Sequence, residues 1–547
     1  MADKLFTCEN DESFSVDTAR NRMDGIVILC IFATAVIALY MMIVTVNGNR
    51  KKDIPYNNER QNDILSEQKL RSDIIDRNGN IIVTSLPTVN AYINPKIITT
   101  KDDKELAAIA ERIAKILNLK SKDILPRFKR KADFVYLKRN IIPKEQYELN
   151  KLGYPFIDFE RSEKRVYPGN NLFSHIVGAL SIDGKGIAGI EKQYDDFLKN
   201  GKLPLQLSLD IAIQDTLRRI LKKGIKNFNA KAGNAILMDV KTSEIIAMVS
   251  LPDYNPNNLN RITDKEMFNR NTLGIYEAGS IFKIFNTAMY LDNGGNIKKV
   301  FNTTEPLKIG KRTIRDYIWN KKDLDVTEIM VRSSNLGSAR MALETGGDKQ
   351  RSFMKKIGFL DMTTIELPEK AKPLIPDKWN KETQTVVATI SYGYGLSVSP
   401  LHIITAAAGI VNNGKMREAT IIKNKKSPEK KIVSLKTSKQ LRDILRTIVN
   451  RGSGKRAYTK GYDVGGKTGS ARISSRGKYE QNELNTSFLG IFPIYNPKYA
   501  LLVMLDHPQK KEGDRTNDAG LNSALIAGEI IENIAPQLKI IPKDVKQ

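Results

Sequence analysis

The sequence predicts a protein of the α+β or mixed α/β class, with a transmembrane helix near the N-terminus and folded domains after it. Three observations predict this architecture. The chain has 547 residues, which is too long for one ordinary core and suits two or three domains. An uncharged apolar stretch, residues 25–46, is long enough to cross a bilayer. Predicted strands lie at both ends of residues 205–537 with helices between them, so that a sheet there is assembled from distant pieces of chain.

The apolar stretch is 22 residues long and is preceded by a tail, residues 1–24. A cleaved signal peptide would have a shorter apolar region and a small-x-small cleavage site, and "VTVNGN" offers no convincing one. A buried globular helix is the alternative, but a helix that is apolar all round and flanked by polar segments favours a span. Arginines or lysines lie on both sides of it, so the positive-inside rule leaves its orientation open.

Composition limits the partners and the compartment. The formal net charge is +26, but the lysines are scattered among Ile and Asn residues, so no nucleic-acid partner is predicted. Cys8 and Cys30 both precede the large C-terminal part, which therefore contains no disulfide. His175, His402 and His507 lie far apart without companions at ligand spacing, and we predict no metal site.

A polar linker, residues 47–70, leads into a first domain, residues 71–204. Its start, "DIIDRNGNIIVTSLP", predicts two strands around the turn Asn78-Gly79. Apolar residues recur at helical spacing in Lys104 to Leu117. At Leu205 the pattern changes to a strand followed by a helix, which marks a second domain, residues 205–537, and a short tail, residues 538–547.

The catalytic candidate is Ser280, which follows Gly279 and precedes Lys283 by three residues. Ser-x-x-Lys alone is weak evidence, because it occurs five times in this lysine-rich chain, at Ser66, Ser280, Ser352, Ser427 and Ser475. Gly279 permits an unusual backbone turn, and side chains at i and i+3 share a helix face. A serine attacks well only when a neighbour takes its proton, so Lys283 must be neutral, and a second cation nearby would lower its pKa.

Two further motifs follow. Ser333-Ser334-Asn335 lies 53 residues beyond Ser280 and supplies a hydroxyl for proton relay and a carboxamide for holding an amide. Lys467-Thr468-Gly469 lies 134 residues beyond Ser333 and supplies groups that bind a carboxylate. The alternatives are a helix cap for the first motif and a glycine-rich hairpin with a surface lysine for the second.

The order Ser-x-x-Lys, Ser-x-Asn, Lys-Thr-Gly is typical of penicillin-binding proteins and serine β-lactamases. The chain resembles the class B penicillin-binding proteins, which are monofunctional D,D-transpeptidases. The stretches "RVYPGNNLFSHIVGAL", "GIAGIEKQYDDFL", "AMVSLPDYNPN" and "SYGYGLSVSPL" carry the resemblance, and they include the N-terminal module that β-lactamases lack. "SSNLG" and "SYGYGL" look more like the division-type, FtsI-like enzymes than the elongation type, whose motif usually has Asp in place of Asn.

The resemblance implies a fold and a location. Residues 71–204 would form an elongated pedestal of the dimerisation type, and residues 205–537 a transpeptidase domain with an antiparallel sheet flanked by helices. The protein would be a single-pass protein of the inner membrane, with a cytoplasmic N-terminus and a periplasmic catalytic domain. Its implied partners are peptidoglycan stem peptides, β-lactams, a SEDS-family glycan polymerase and other membrane division proteins, and no cofactor is implied.

The resemblance also implies roles for single residues. Ser280 would attack the D-Ala-D-Ala carbonyl, with Lys283 as base and Ser333 as relay. Asn335 would hold the donor peptide, and Lys467 and Thr468 its carboxylate. The substrate-binding strand continues with Gly469 and Ser470, and the backbone N–H groups of Ser280 and Ser470 would form the oxyanion hole.

The chain departs from the common family pattern at four positions, Ala278, Ile281, His402 and Ser470. None of these changes removes a predicted catalytic group. The segment "TNDAGLNSALIAG" lacks the Tyr-Gly-Gly run often seen near the C-terminus. Alternatives of function are an elongation-type enzyme of the same class, a carboxypeptidase or β-lactamase, and a non-catalytic β-lactam-binding division scaffold.

Overall fold

The computed structural model describes residues 31–39, 70–380, 382–475, 478–514 and 516–543, and it divides into two units, residues 1–69 and 70–547. In the first unit, residues 31–39 form a helix with exposed side chains. No helix within the described ranges combines the length and the apolar character that crossing a membrane requires. Apart from 31–39, the predicted span 25–46 lies outside those ranges, as do the predicted tail 1–24 and most of the linker.

The second unit begins with a five-stranded sheet centred on one long strand. Its strands are β1 (Ile74–Ile75), β2 (Ile81–Ile93), β3 (Val135–Ile141) and β4 (Ile157–Val166), and, after a small ribbon of β5 (Ala179–Leu180) and β6 (Gly186–Ala188), β7 (Leu205–Gln206). Strand β2 pairs antiparallel with β1, β3 and β4, whereas β1 pairs parallel with β7. The hairpin predicted around Asn78-Gly79 is confirmed, because Ile74 pairs with Val83.

Six helices accompany this sheet: α1 (Asp103–Leu117), α2 (Ser121–Phe128), α3 (Pro143–Lys151), α4 (Ser174–Val177), α5 (Gly189–Gln193) and α6 (Asp195–Asn200). Helix α1 confirms the amphipathic helix predicted for Lys104 to Leu117. Asp102 caps it by accepting a hydrogen bond from the Lys104 N–H. Its buried face, which includes Ile109 and Ile113, packs with Ile93 of β2 in one hydrophobic cluster.

A buried ion network joins three distant segments of the first domain, residues 71–204, which lies within the second unit. The Glu191 carboxylate accepts hydrogen bonds from Arg71 Nε at 2.6 Å and from Arg165 Nε at 2.7 Å. Arg71 also donates to Asp195 at 2.8 Å. Because Arg71, Arg165 and Glu191 are all almost fully enclosed, each charge depends on its partners for the stabilisation that water would otherwise give.

The rest of the second unit, from residue 207 onward, is built on a five-stranded antiparallel sheet with helices on both faces. The strands of this sheet are β8 (Ala232–Asp239), β9 (Ile245–Leu251), β16 (Gly465–Ser475), β17 (Lys478–Phe492) and β18 (Tyr499–Asp506). Six short strands lie between β9 and β16 in the chain and form three separate ribbons: β10 (Val300–Phe301) with β13 (Leu324–Asp325), β11 (Leu307–Ile309) with β12 (Arg312–Ile314), and β14 (Lys415–Met416) with β15 (Lys430–Lys431). The order across the sheet is β16-β17-β18-β8-β9. The expectation of a sheet assembled from distant pieces of chain is therefore confirmed.

The helices of this part are α7 (Ile211–Asn227), α8 (Asp264–Met267), α9 (Phe282–Asp292), α10 (Val326–Arg332), α11 (Asn335–Thr345), α12 (Gly347–Lys356), α13 (Gln384–Ser391), α14 (Pro400–Val411), α15 (Leu435–Arg451) and α16 (Ser523–Gln537), with short 3-10 turns at Pro95–Ile97, Gly279–Ile281 and Lys455–Ala457.

Side chains alternate between the two faces of the sheet, as the period of two in a strand requires. Leu237 of β8 belongs to a cluster with Leu217 of α7 and Ile530 of α16. Ile236, its neighbour, belongs to the opposite cluster with Phe285 of α9. Both faces are therefore apolar, and the sheet forms the middle layer between helices.

The ion network yields a stability prediction. Glu191→Ala removes the acceptor shared by two buried arginines and should lower the free energy of unfolding by about 3 to 5 kcal/mol. Chemical denaturation followed by circular dichroism measures the change. Glu148→Ala is the matched control, because that carboxylate pairs with Lys151 at 3.8 Å near the surface. Equal stability of the two variants would contradict the proposed role of the network.

Candidate active site

The predicted nucleophile lies on a tight turn that leads into a buried helix. Ser280 is the middle residue of the 3-10 turn Gly279–Ile281, and α9 follows directly. Gly279 has a φ of +53°, and a Cβ at this position would lie 2.7 Å from the carbonyl oxygen of Ser470 on β16. Glycine is therefore required here both for the backbone conformation and for the close approach of the strand.

A second glycine supports this turn from behind. The Gly279 N–H donates to the carbonyl of Gly393 at 3.2 Å. Gly393 has a φ of +94°, and a Cβ there would lie 2.0 Å from the Gly279 carbonyl oxygen. The stretch "SYGYGL", which the sequence offered only as a family resemblance, thus holds the nucleophile turn in place.

Lys283 is fully buried, and its amine lies at the centre of the site. Nζ is 2.8 Å from Ser280 Oγ and 2.8 Å from Asn335 Oδ1. It is also 3.3 Å from Ser333 Oγ. The first two predicted motifs therefore meet at a single nitrogen atom.

Lys467 approaches the same hydroxyl from the other side. Its amine, also fully buried, donates to Ser333 Oγ at 3.0 Å and to the Thr468 carbonyl at 3.0 Å. Ser333 adopts a left-handed conformation, φ 59°, at the C-terminal end of α10, and this conformation directs its hydroxyl between the two lysines. The surface-lysine alternative for Lys467 is wrong, because its side chain is enclosed.

The surroundings of the two lysines lower the pKa of both amines, and they favour the neutral form most at Lys283. Burial lowers the pKa of Lys283 well below its usual value, and the positive charge of Lys467 lowers it further, while the carboxylate of Asp316 acts in the opposite direction. Burial lowers the pKa of Lys467 to about 7. The requirement for a second cation near Lys283 is therefore met.

Asp316, which the sequence did not suggest, fixes the start of α11. Its carboxylate accepts hydrogen bonds from the hydroxyl of Ser334 at 2.6 Å and from the backbone N–H groups of Asn335 at 2.5 Å and Leu336 at 2.9 Å. Ser334 in turn caps the helix by accepting from the Gly337 N–H. The helix-cap interpretation thus holds for Ser334, while its neighbours Ser333 and Asn335 face Lys283.

The Lys-Thr-Gly motif lies on β16, the edge strand of the sheet. A Cβ on Gly469 would lie 2.7 Å from the Ala278 carbonyl oxygen, so glycine lets this edge approach the nucleophile turn. The Thr468 hydroxyl lies 2.5 Å from that of Ser453, a contact that the sequence did not predict. Ser470 Oγ accepts from the Ala519 N–H at 3.1 Å and so joins the strand to the C-terminal segment.

The other Ser-x-x-Lys matches lie elsewhere. Ser352 is exposed on α12, and Ser427 lies in an irregular segment before β15. Ser475 ends β16, and Ser66 falls outside the described residues. One departure from the family pattern, His402, lies in the first turn of α14. Its imidazole ring is within hydrogen-bonding distance of the Ser399 hydroxyl and of the Asp361 carbonyl. Its place in the fold is therefore structural.

Comparisons with known proteins agree with this geometry. Residues 233–532 match the penicillin binding protein transpeptidase domain, and residues 66–203 match the penicillin-binding protein dimerisation domain. A probable peptidoglycan D,D-transpeptidase FtsI of Caulobacter vibrioides is 33% identical over 492 residues, covering 86% of this chain and 82% of the relative. The peptidoglycan D,D-transpeptidase FtsI of Escherichia coli is 27% identical over 509 residues, covering 86% and 84%.

The fold has solved counterparts. A peptidoglycan synthetase from Bifidobacterium adolescentis superimposes with a TM-score of 0.69 at 20% identity, over 88% of this chain and 97% of that one. The domain pair, the extent of the match and the three motifs, which are linked through Lys283 and Ser333, agree with one another. The chain therefore belongs to the class B penicillin-binding proteins, with a dimerisation domain followed by a transpeptidase domain.

Proposed function

We propose that this protein is a serine-type peptidoglycan D,D-transpeptidase that cross-links stem peptides through an acyl-enzyme on Ser280. One observation carries the proposal, namely a buried lysine amine with a lowered pKa 2.8 Å from the serine hydroxyl. The relatives named as D,D-transpeptidases of the FtsI type support the same activity.

The contacts of Lys283 suggest how the serine is activated. Asn335 Oδ1 can only accept, so one N–H of the neutral amine is directed to it. The lone pair is then available to the Ser280 hydroxyl. In the first step the proton of Ser280 passes to Lys283 Nζ while Oγ forms a bond to the carbonyl carbon between the two D-Ala residues.

The oxyanion that forms needs hydrogen-bond donors. The backbone N–H groups of Ser280 and Ser470 are the proposed donors, and the close approach allowed by Gly279 and Gly469 brings those two residues together. A donor of this kind contributes about 3 kcal/mol to transition-state stabilisation in other acyl transferases. Lys467 and Thr468 would bind the carboxylate of the terminal D-Ala.

Collapse of the intermediate breaks the C–N bond. The leaving amine takes the proton held by Lys283, relayed through Ser333, whose hydroxyl lies between the two lysines. An amine of a second stem peptide then attacks the ester carbonyl carbon and loses its proton to Lys283. The C–O bond to Ser280 breaks, and Lys283 returns the proton to Oγ, which regenerates the serine. A β-lactam would acylate the same serine, and its retained leaving group would slow release.

The cellular role is proposed to be septal cross-linking during division. The Asn in "SSNLG" and the relatives named FtsI support it over an elongation role. The accompanying proposals are a single N-terminal anchor in the inner membrane, a periplasmic catalytic domain, and a SEDS-family glycan polymerase as partner. Depletion with microscopy separates the two roles, because filaments indicate division and rounded cells indicate elongation.

The nucleophile is tested by labelling with a fluorescent penicillin. We expect covalent labelling of the full-length chain and its complete loss in Ser280→Ala, because the hydroxyl that forms the ester is gone. Ser352→Ala is the matched control, since Ser352 starts an exposed Ser-x-x-Lys and should leave labelling unchanged. Labelling of Ser280→Ala at the wild-type level would refute the assignment.

The role of the second lysine is tested by the pH dependence of acylation. The rate should rise as pH increases through the lowered pKa of Lys283, because only the neutral amine accepts a proton. Lys467→Met removes a neighbouring positive charge, so the protonated form of Lys283 is destabilised less and its pKa rises. The rising limb of the plot of acylation rate against pH should therefore move to higher pH.

Stopped-flow acylation at saturating penicillin measures that limb. Lys455→Met is the control, because it removes a charge from an exposed lysine. A limb that stays in place in Lys467→Met, or moves to lower pH, would contradict the proposed coupling between the two lysines.

A further inference from the structure

Three large apolar side chains are exposed together on one loop. Tyr317, Ile318 and Trp319 expose 77%, 75% and 68% of their surface, and we call these three residues the aromatic loop. Asp316 and Asn320 close the loop at its base, because Asn320 Nδ2 donates to Asp316 Oδ2 at 2.7 Å. A contiguous apolar group held in water by a hydrogen-bonded base is typical of a binding surface.

The base of the aromatic loop is also part of the catalytic site. The Asp316 carboxylate that closes the loop accepts hydrogen bonds from the Ser334 hydroxyl and the Asn335 N–H. Asn335 in turn contacts Lys283. The loop is therefore fixed directly to the start of α11, beside the residues that would hold the donor peptide.

The orientation of Trp319 is fixed as well. Its Nε1 donates to the Thr304 carbonyl at 3.1 Å, while most of the indole surface remains in water. The polar edge of the ring is satisfied by the protein, and its apolar faces are left for another molecule.

The segments next to the aromatic loop in the chain are rich in basic residues. Exposed basic residues flank it on both sides in the chain, namely Lys311, Arg312, Arg315, Lys321 and Lys322. The acidic residue next to them, Asp323, is also exposed and accepts a hydrogen bond from the Thr303 N–H, so the basic residues outnumber it. The surface therefore combines aromatic faces with positive charge.

We propose that the aromatic loop binds the peptidoglycan strand that bears the donor stem peptide, with Tyr317 and Trp319 stacking on its sugar rings. This inference rests on the proposed function. The apolar C–H faces of sugar rings suit amphipathic aromatic side chains, and the carboxylates of stem peptides suit the flanking cations.

Tryptophan fluorescence provides a direct test. The chain has two tryptophans, and the other, Trp379, is only 4% exposed and donates to Gln350. Acrylamide should therefore quench mainly Trp319. Soluble uncross-linked peptidoglycan strands should protect that emission from acrylamide, and the same strands should have no effect on the emission of Trp319→Ala.

Substitution separates binding from chemistry. The double variant Tyr317→Ala, Trp319→Ala should be retained about tenfold more weakly on isolated peptidoglycan, as for aromatic residues at the centre of a binding surface. Its acylation by a small fluorescent penicillin should stay within about twofold of wild type, because the penicillin carries no glycan strand. Tyr147→Ala is the control, because it removes an aromatic side chain that is also exposed, by 58%, but belongs to α3 of the first domain and not to the aromatic loop.

Several outcomes would overturn the inference. The inference fails if isolated peptidoglycan retains the double variant as strongly as the wild-type chain. It also fails if peptidoglycan does not retain the wild-type chain and does not protect its Trp319 emission from acrylamide. A parallel fall in penicillin acylation would show instead that the loop acts by supporting Asp316. Loss of binding to lipid vesicles or to a protein partner, with peptidoglycan binding intact, would assign the loop another occupant. If penicillin fails to label even the wild-type chain, it is the proposed function that fails.

Discussion

The buried amine of Lys283 is the interaction on which the site depends. An ammonium group without water is costly, and the cost falls if the group is neutral and its hydrogen-bonding capacity is used. Here the amine has a hydroxyl on the nucleophile turn, a second hydroxyl at the end of α10 and a carboxamide at the start of α11. The same contacts that make burial tolerable place a proton acceptor beside Ser280, so stability and reactivity have one cause.

The fold serves this contact by bringing backbones unusually close. Gly279, Gly393 and Gly469 lie where any Cβ would collide with the main chain of a neighbouring element. Because these three glycines have no side chains, the nucleophile turn can lie between the "SYGYGL" loop and the edge strand β16. The antiparallel sheet, which is packed between apolar clusters on both faces, includes β16 as its edge strand and so positions it beside this turn.

The sequence predicts the residues that would carry the chemistry better than the residues that position them. Ser280, Lys283, Ser333, Asn335 and Lys467 were predicted to meet because their motifs occur in a typical order, and the structure brings them together. Asp316 and Ser453 were missed, since a lone Asp or Ser in a loop has no pattern that marks it. Their partners lie 18 and 15 residues away, a separation that only tertiary structure closes. Strand pairing such as β1 with β7 was missed for the same reason, and the membrane span stays a prediction.

The central claim is that Lys283 is neutral under working conditions because it is buried beside Lys467. Its most direct test is the pKa of Lys283 itself, followed by NMR in protein labelled at lysine Cε, with Lys283→Met used to assign the signal. The account predicts a titration well below the ordinary lysine value of about 10.4. A Lys283 signal that titrates at or above that value would contradict it.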